Sequence, residues 1–114
     1  MKKFIVTYHS PVGAMEQTSS STPEETAAGM KAWMDWAAMA GDHLVDFGTP
    51  LMNGVELTPG GSSHQSNRKV TGYSVMQGET FDEVQDLLEN HPHLQWNPEC
   101  SIEVHETMPM PGTM

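Results

Sequence analysis

Two helices with clear start signals, each between two strand-like segments, set the main constraint on how this chain can fold. The stretch TPEETAAGMKAWMDWAAMAG predicts the first helix, because Thr22 and Glu25 have the spacing of a capping box and Gly41 is a typical terminator. The stretch TFDEVQDLLEN predicts the second, with Thr80 and Glu83 at the same spacing. Segments rich in β-branched and aromatic residues flank the helices at 3–9, 43–51, 70–78 and 100–106. The order strand–helix–strand, given twice, predicts an α+β, ferredoxin-like fold with a four-stranded antiparallel sheet and two helices on one face.

The first helix has an apolar stripe that we expect to pack on the sheet. Positions i, i+3, i+4 and i+7 are held by Met30, Trp33, Met34 and Ala37. Trp36 lies about 60° from that stripe on the helical wheel, so we expect it to flank the buried face.

The length of 114 residues allows one domain, which we place at 1–107. Residues 53–69 are rich in glycine and polar residues, and they predict an exposed excursion with a short β-hairpin at VELT. Residues 108–114 form a tail without hydrophobic periodicity.

The second face of the predicted sheet has no element left to cover it. Tyr73 and Val75 share this face with either the Phe4 or the Ile5 side of the first strand. An uncovered face of this kind is an interaction surface, and a second copy of the same sheet is the economical partner. We therefore expect a homodimer that forms through the helix-free sheet face.

The net charge and the cysteine content limit which binding partners and which cellular compartment we expect. The formal charge of −10 excludes a basic footprint for nucleic acid or an anionic membrane. No run approaches the roughly 20 apolar residues of a membrane span, and MKK opens a strand-like segment rather than a signal peptide. Cys100 is the only cysteine, which favours a reducing cytoplasm and a buried, inert thiol.

The chain resembles the YCII-related family of the dimeric α/β-barrel superfamily. The resemblance lies in MKAWMDWAAMAGDHLVDFGTPL, VTGYSVMQGETFDEVQDLLENHPHLQ, and SIEVHE followed by MPMPG. It implies the ferredoxin-like fold, pairing into a dimeric barrel, and isomerase, lyase or dehalogenase chemistry on small cyclic compounds without a cofactor. Better-known members have a histidine in the first helix and an aspartate before the proline after the second helix. Here those positions are Lys31 to Trp33 and His91, and the DGPF motif of a related subgroup is absent.

The segment NHPHLQ contains the first group of candidate site residues. His91 and His93 could act as general acid and base at a pocket rim, since imidazole titrates near neutrality. Asp35 is a candidate catalytic carboxylate, and Asp46 is a second possible partner for a histidine. The alternative is that His91 only ends the second helix, where its protonated form would favour the carbonyl end of the dipole.

A metal site is the third interpretation of the histidines. His91, His93 and His105 could bind a soft ion such as Cu(I) together with methionines of the tail, Met108, Met110 and Met114. Methionine also fills gaps in hydrophobic cores, and a copper binder would more often carry an export signal. We therefore predict no metal ion and no cofactor.

A small-molecule pocket is the remaining prediction from the sequence. Aromatic walls with a few polar groups favour a partly apolar, cyclic ligand, and the residues expected to line the pocket are Tyr8, Trp33, Trp36, Tyr73 and His105. Two functions fit this pattern: a cofactor-free acid/base enzyme, and a non-catalytic module that senses a ligand or binds a partner.

Overall fold

The computed structural model describes residues 1–11, 22–67 and 69–109, which contain six strands and three α-helices. The strands are β1 (Lys2–His9), β2 (Leu44–Asp46), β3 (Val55–Leu57), β4 (Ser63–Gln65), β5 (Val70–Gly78) and β6 (Ser101–Glu106). The helices are α1 (Pro23–Ala40), α2 (Phe81–Leu88) and α3 (Pro92–Trp96), and a 3₁₀ turn, Gly41–His43, follows α1. None of the helices among these residues is long and apolar enough to cross a membrane.

The main sheet has four antiparallel strands in the order β2-β5-β1-β6. The predicted α+β class with a four-stranded antiparallel sheet is therefore confirmed, and the strand order is compatible with a ferredoxin-like fold. Strands β3 and β4 pair separately as a hairpin. This hairpin lies within the predicted excursion 53–69 and begins at the VELT segment.

Several element bounds differ from the prediction. The strand expected over 43–51 is limited to β2, and beyond it only Pro50 makes an isolated bridge, to Gly72 of β5. The strand ends at Asp46 because its carboxylate accepts a hydrogen bond from the Gly48 N–H over 2.8 Å, and Gly48, with a φ of 79°, turns the chain out of extended backbone. The second predicted helix stops at Leu88, and the chain then forms the extra turn α3, which begins at Pro92.

The buried stripe of α1 is not the one predicted. Thr22 and Glu25 form both hydrogen bonds of the capping box, as expected. However, Met30 and Met34 are 60% and 54% exposed, whereas Trp36 is only 4% exposed. The packed face is rotated toward Trp36 and Ala40, with Trp33 and Ala37 partly buried beside it, so the assignment of both methionines to the core was wrong.

The sheet buries one face and leaves the other without a helix. Phe4, Val6 and Tyr8 are buried against the helices, together with Ser74 and Met76 of β5. The alternate residues of β1, beginning with Ile5, are partly exposed and share the other face with Tyr73 and Val75 of β5, by register. The Ile5 set is thus the one on the helix-free face.

An ion pair ties the end of α1 to the start of α2. Nε2 of His43 contacts the Glu83 carboxylate, and Nδ1 donates to the carbonyl of Ala40 over 3.2 Å. Because both ring nitrogens face acceptors, the imidazolium form fits best, and the hydrogen bond to Glu83 raises the pKa of His43. The same bond lowers the pKa of Glu83, whose other oxygen accepts from the Glu79 backbone.

Candidate functional site

Five aromatic and imidazole rings meet where α1 and α3 cover the end of β1. His91 is the central ring. Its centroid lies 4.3 Å from that of Trp36, 4.4 Å from that of Trp33 and 5.0 Å from that of Tyr8. The fifth ring is that of His93, 5.4 Å from Tyr8. We refer to these five residues as the His91 cluster, and all five were predicted as catalytic or pocket residues.

The position of His91 follows from the local sequence. Pro92 disfavours helical backbone at the preceding residue, so the chain leaves α2 and restarts as α3. His91 has extended backbone angles, and its Nδ1 accepts a hydrogen bond from the backbone N–H of His93 over 3.0 Å. It is therefore the N-cap of α3, a task more often given to serine or aspartate.

This cap determines the tautomer of His91. A nitrogen that accepts a hydrogen bond carries no proton, so the neutral ring has its proton on Nε2. Burial, with a smaller effect of His93, lowers the pKa of His91 to about 3. The His91 backbone N–H donates to the carbonyl of Leu88 at the end of the second helix, but the protonated ring of the helix-ending alternative does not fit, because the ring is fully buried and its Nδ1 accepts a hydrogen bond.

The Nε2–H group of His91 is the unusual feature of the cluster. This atom is buried and has no hydrogen-bond partner in the described part of the chain. Buried donors are nearly always paired in native proteins, so an unpaired one needs an explanation. A ligand that accepts from Nε2–H, or a weak contact of this group with an indole ring, would supply it.

His93 is held by a different partner. It is 6% exposed, and its Nε2 donates to the backbone carbonyl of His9 over 2.7 Å. Burial lowers the pKa of His93, and hydrogen bonds with the backbone of His9 and Ser101 oppose this only in part. Its structural task is to join α3 to the ends of β1 and β6.

The Tyr8 hydroxyl is the first member of a chain of two hydrogen bonds that continues through Ser74 to Phe47. The Ser74 hydroxyl donates to the carbonyl of Phe47 over 2.6 Å, so its oxygen must accept from the Tyr8 hydroxyl, 2.8 Å away. Burial raises the pKa of Tyr8 to about 12, and the bond to Ser74 opposes this only partly. The phenol therefore stays protonated at neutral pH.

Sequence reasoning missed both Ser74 and Phe47. The available signal for Ser74 was a hydroxyl on the inward face of β5, between two buried positions, where an apolar residue is usual. Phe47 follows β2 and stacks on Trp33 with ring centroids 6.2 Å apart. Nothing in its immediate sequence indicated that contact.

Gly48 allows Phe47 to take this place. Its φ of 79° lies in the left-handed region, and a β carbon there would be 1.7 Å from the carbonyl oxygen of Tyr73. The chain can thus pass close over β5, which brings the Phe47 carbonyl within reach of Ser74.

Three predicted site residues lie elsewhere. Asp35 pairs with Lys31 over 2.7 Å on the exposed side of α1. Tyr73 lies on the helix-free sheet face, where its hydroxyl donates to Asp46 over 3.3 Å. His105 is opposite Ile5 on that same face and pairs with Glu103 over 3.1 Å. The structure does not bring Asp35, Tyr73 or His105 to the cluster.

The residues described contain no group of three or more histidine, cysteine or acidic side chains able to hold a metal ion. His105 is separated from the two other histidines of the copper hypothesis by the sheet. Met108 is exposed, and Met110 and Met114 lie outside the described residues.

Cys100 is half-buried rather than buried, and desolvation raises the pKa of its thiol.

The chain matches no protein-family model and no curated protein sequence.

Proposed function

We propose that this chain is a YCII-related protein that works as a homodimer with one small-molecule site in each protomer, centred on the His91 cluster. The observation that carries the proposal is the buried, unpartnered Nε2–H of His91. A donor in that state loses free energy unless an acceptor reaches it. Aromatic walls with one polar group at the centre also have the composition of a ligand site.

The chemistry we propose is cofactor-free and uses His91 as a hydrogen-bond donor. The pKa of His91 is about 3, so its ring is not an imidazolium at neutral pH. Its Nδ1 already accepts the hydrogen bond that caps α3. Such a neutral donor can stabilise negative charge that develops on a substrate oxygen during isomerisation or elimination. Proton abstraction would then require a base on the substrate, from solvent or from the partner subunit.

The dimer remains the proposed assembly. Ile5 and Val75 are both partly exposed on the helix-free face, and they lie opposite each other in the β1–β5 ladder. A second sheet stacked on this face would bury them and complete a dimeric α/β barrel. A cytoplasmic location fits the single cysteine, and the acidic charge opposes nucleic-acid and membrane partners.

A non-catalytic ligand sensor is the second candidate. In the described residues no carboxylate forms a hydrogen bond or ion pair with the cluster. An acid/base enzyme would need such a partner for a histidine, whereas a site that only binds a ligand would not, so this observation favours the sensor. The dimer and the pocket would be the same in both cases.

Nuclear magnetic resonance of the imidazole nitrogens tests the proposal. A panel of small lactones, cyclic ketones and phenols is added to the protein, and the His91 Nε2–H signal is followed by long-range nitrogen correlation. We expect at least one compound to shift this signal and to raise the melting temperature. Disappearance of that compound with time identifies an enzyme, whereas stable binding identifies a sensor. A His91 signal that no member of the panel moves would refute the assignment of the site.

A further inference from the structure

The donor character of the buried His91 Nε2–H group, together with the rings around it, limits the class of ligand that the His91 cluster can bind. The Nε2–H of His91 is a donor only, since the accepting nitrogen of the same ring is used by the backbone of His93. The partner it lacks must therefore be an acceptor, such as an oxygen that is negative or becomes so.

Three other donors of the cluster are already used within the described part of the chain. Tyr8 directs its hydroxyl proton to Ser74, His93 donates to the carbonyl of His9, and Trp36 donates its indole N–H to the carbonyl of Leu87 over 2.8 Å. No lysine or arginine among the described residues forms an ion pair with the cluster. Lys31, the basic residue of α1, pairs with Asp35 outside it.

A carboxylate is a poor match for this arrangement. Its charge is concentrated on two strongly hydrated oxygens, and burial beside a single donor would leave most of their hydrogen bonds unmade. A phenolate or enolate has one oxygen, and its charge is shared with the attached unsaturated carbons. Such an ion loses less on transfer from water into an aromatic surrounding.

Of the two indole side chains in the cluster, that of Trp33 is the one that a ligand could displace. Trp36 is buried and held by its hydrogen bond, whereas Trp33 is half-buried and is held in the described chain by ring contacts alone. The part of α1 that precedes it, from Pro23 to Met30, is exposed at every residue. A flat ring that displaced the Trp33 indole would take over its contacts with the rings of Tyr8, Phe47 and His91.

We infer that the ligand is a planar cyclic compound with a single oxyanion, of the phenolate or enolate class, which displaces Trp33 and accepts the hydrogen bond of His91 Nε2–H. This inference rests on the proposed function and specifies the chemistry of its ligand.

Three ligands that share one ring and differ in the oxygen group test the inference: 4-nitrophenolate, 4-nitroanisole and 4-nitrobenzoate. Affinities are measured by calorimetry at a pH where the phenol is ionised, and the His91 Nε2–H signal is recorded with each ligand. We expect the phenolate to bind more tightly than the other two by about tenfold or more, as for a hydrogen bond with a charged partner. It should also move the Nε2–H signal further.

Two variants test whether the preference for the phenolate depends on the His91 Nε2–H and whether binding requires displacement of Trp33. His91→Asn retains an acceptor for the α3 cap but removes the Nε2–H, so it should abolish the preference for the phenolate. Trp33→Leu removes the indole that must be displaced, so it should tighten the binding of all three ligands. His105→Asn, on the other face of the sheet, should change neither, and serves as the control.

Each contrary result has a distinct meaning. Equal affinities for the three ligands, or an Nε2–H signal that the bound phenolate does not move, would overturn the inference even if His91→Asn failed to fold. If lactones or ketones of the wider panel shift the His91 signal while the phenolate shows no preference, the small-molecule site stands and the ligand class is wrong. If no compound binds, even to Trp33→Leu, the inference and the proposed function fail together, and the Nε2–H group serves only as a contact to the indole rings.

Discussion

The backbone N–H of His93 donates to Nδ1 of His91 over 3.0 Å, and this one bond both begins α3 and decides which nitrogen of His91 carries a proton. Local helix capping and the chemistry of the site are therefore set by the same contact. Any change that removes the acceptor alters both.

Replacement of His91 by asparagine and by alanine should separate the cap from the rest of the side chain. Both variants lose the buried ring, but asparagine keeps an acceptor at the N-cap position. We expect His91→Ala to be less stable than His91→Asn by about 1 kcal/mol, measured by urea denaturation. Equal stabilities would show that the cap contributes little.

Acid should destabilise the protein through His91. The folded-state pKa is about 3, below the ordinary value of 6.5, so below pH 6.5 only the unfolded chain takes up this proton. Stability from this group is present above 6.5 and is lost as the pH falls toward 3, by at most about 1.4 kcal/mol per pH unit. Denaturation of wild type and His91→Asn from pH 7 to pH 4 checks this (about three pH units), and the variant should show the weaker pH dependence.

His43 should act in the opposite direction. Its pKa is raised above 6.5 by Glu83, so its stabilisation is fully present below 6.5 and is lost as the pH rises through the folded-state value. The pKa of Glu83 is lowered, so the stabilisation that Glu83 contributes is present above pH 4.5 and is lost as the pH falls through its folded-state pKa. We expect the difference in melting temperature between wild type and His43→Gln to be largest from pH 4.5 to pH 6.5 and to shrink on either side. A difference that grows above neutrality would contradict the ion pair.

Tyr8 and Ser74 should be strongly coupled. Ser74→Ala leaves the buried Tyr8 hydroxyl and the Phe47 carbonyl without this partner, at a cost of about 1–3 kcal/mol. In Tyr8→Phe with Ser74→Ala the unpaired hydroxyl is absent, so the double variant should lose less stability than the sum of the single ones. Additive losses in this double-mutant cycle would show that the hydrogen bond is unimportant.

The proposed dimer is tested by sedimentation equilibrium. Wild type should have twice the mass of the 12.6 kDa chain, with a buried interface of about 1,600 Å² in total. Val75→Lys places a charge on the helix-free face and should give monomers. Val55→Lys, on the exposed hairpin strand β3, is the matched control and should remain dimeric. A wild-type monomer at micromolar concentration would rule out the assembly.

The sequence was sufficient for the sheet and for the starts of α1 and α2, because alternation and capping are local signals. The capping box of Thr22 and Glu25 formed as predicted. In contrast, the buried face of α1 depends on where the helix lies on the sheet, and the pattern did not distinguish Met30 and Met34 from Trp36. The hydrogen bond from Trp36 to Leu87, distant in sequence, fixes that orientation.

The candidate site was predictable only in part, for the same reason. Aromatic spacing identified Trp33 and Trp36, and the two histidines beside Pro92 were singled out by composition. Their tautomers could not be predicted, since these depend on the cap and on contacts with β1. Tyr73 and His105 were assigned to the pocket although their strand positions place them on the opposite face from Tyr8.

The position of β6 at one margin of the main sheet has a consequence for crowded solutions. An outermost strand has backbone groups that could recruit a strand from another molecule and start aggregation. Here Glu103 and Glu106 are exposed along β6, and charged side chains at such a margin discourage that addition. At the other margin β2 has three residues, too few to support much pairing. Both margins therefore work against uncontrolled growth of the sheet at its edges.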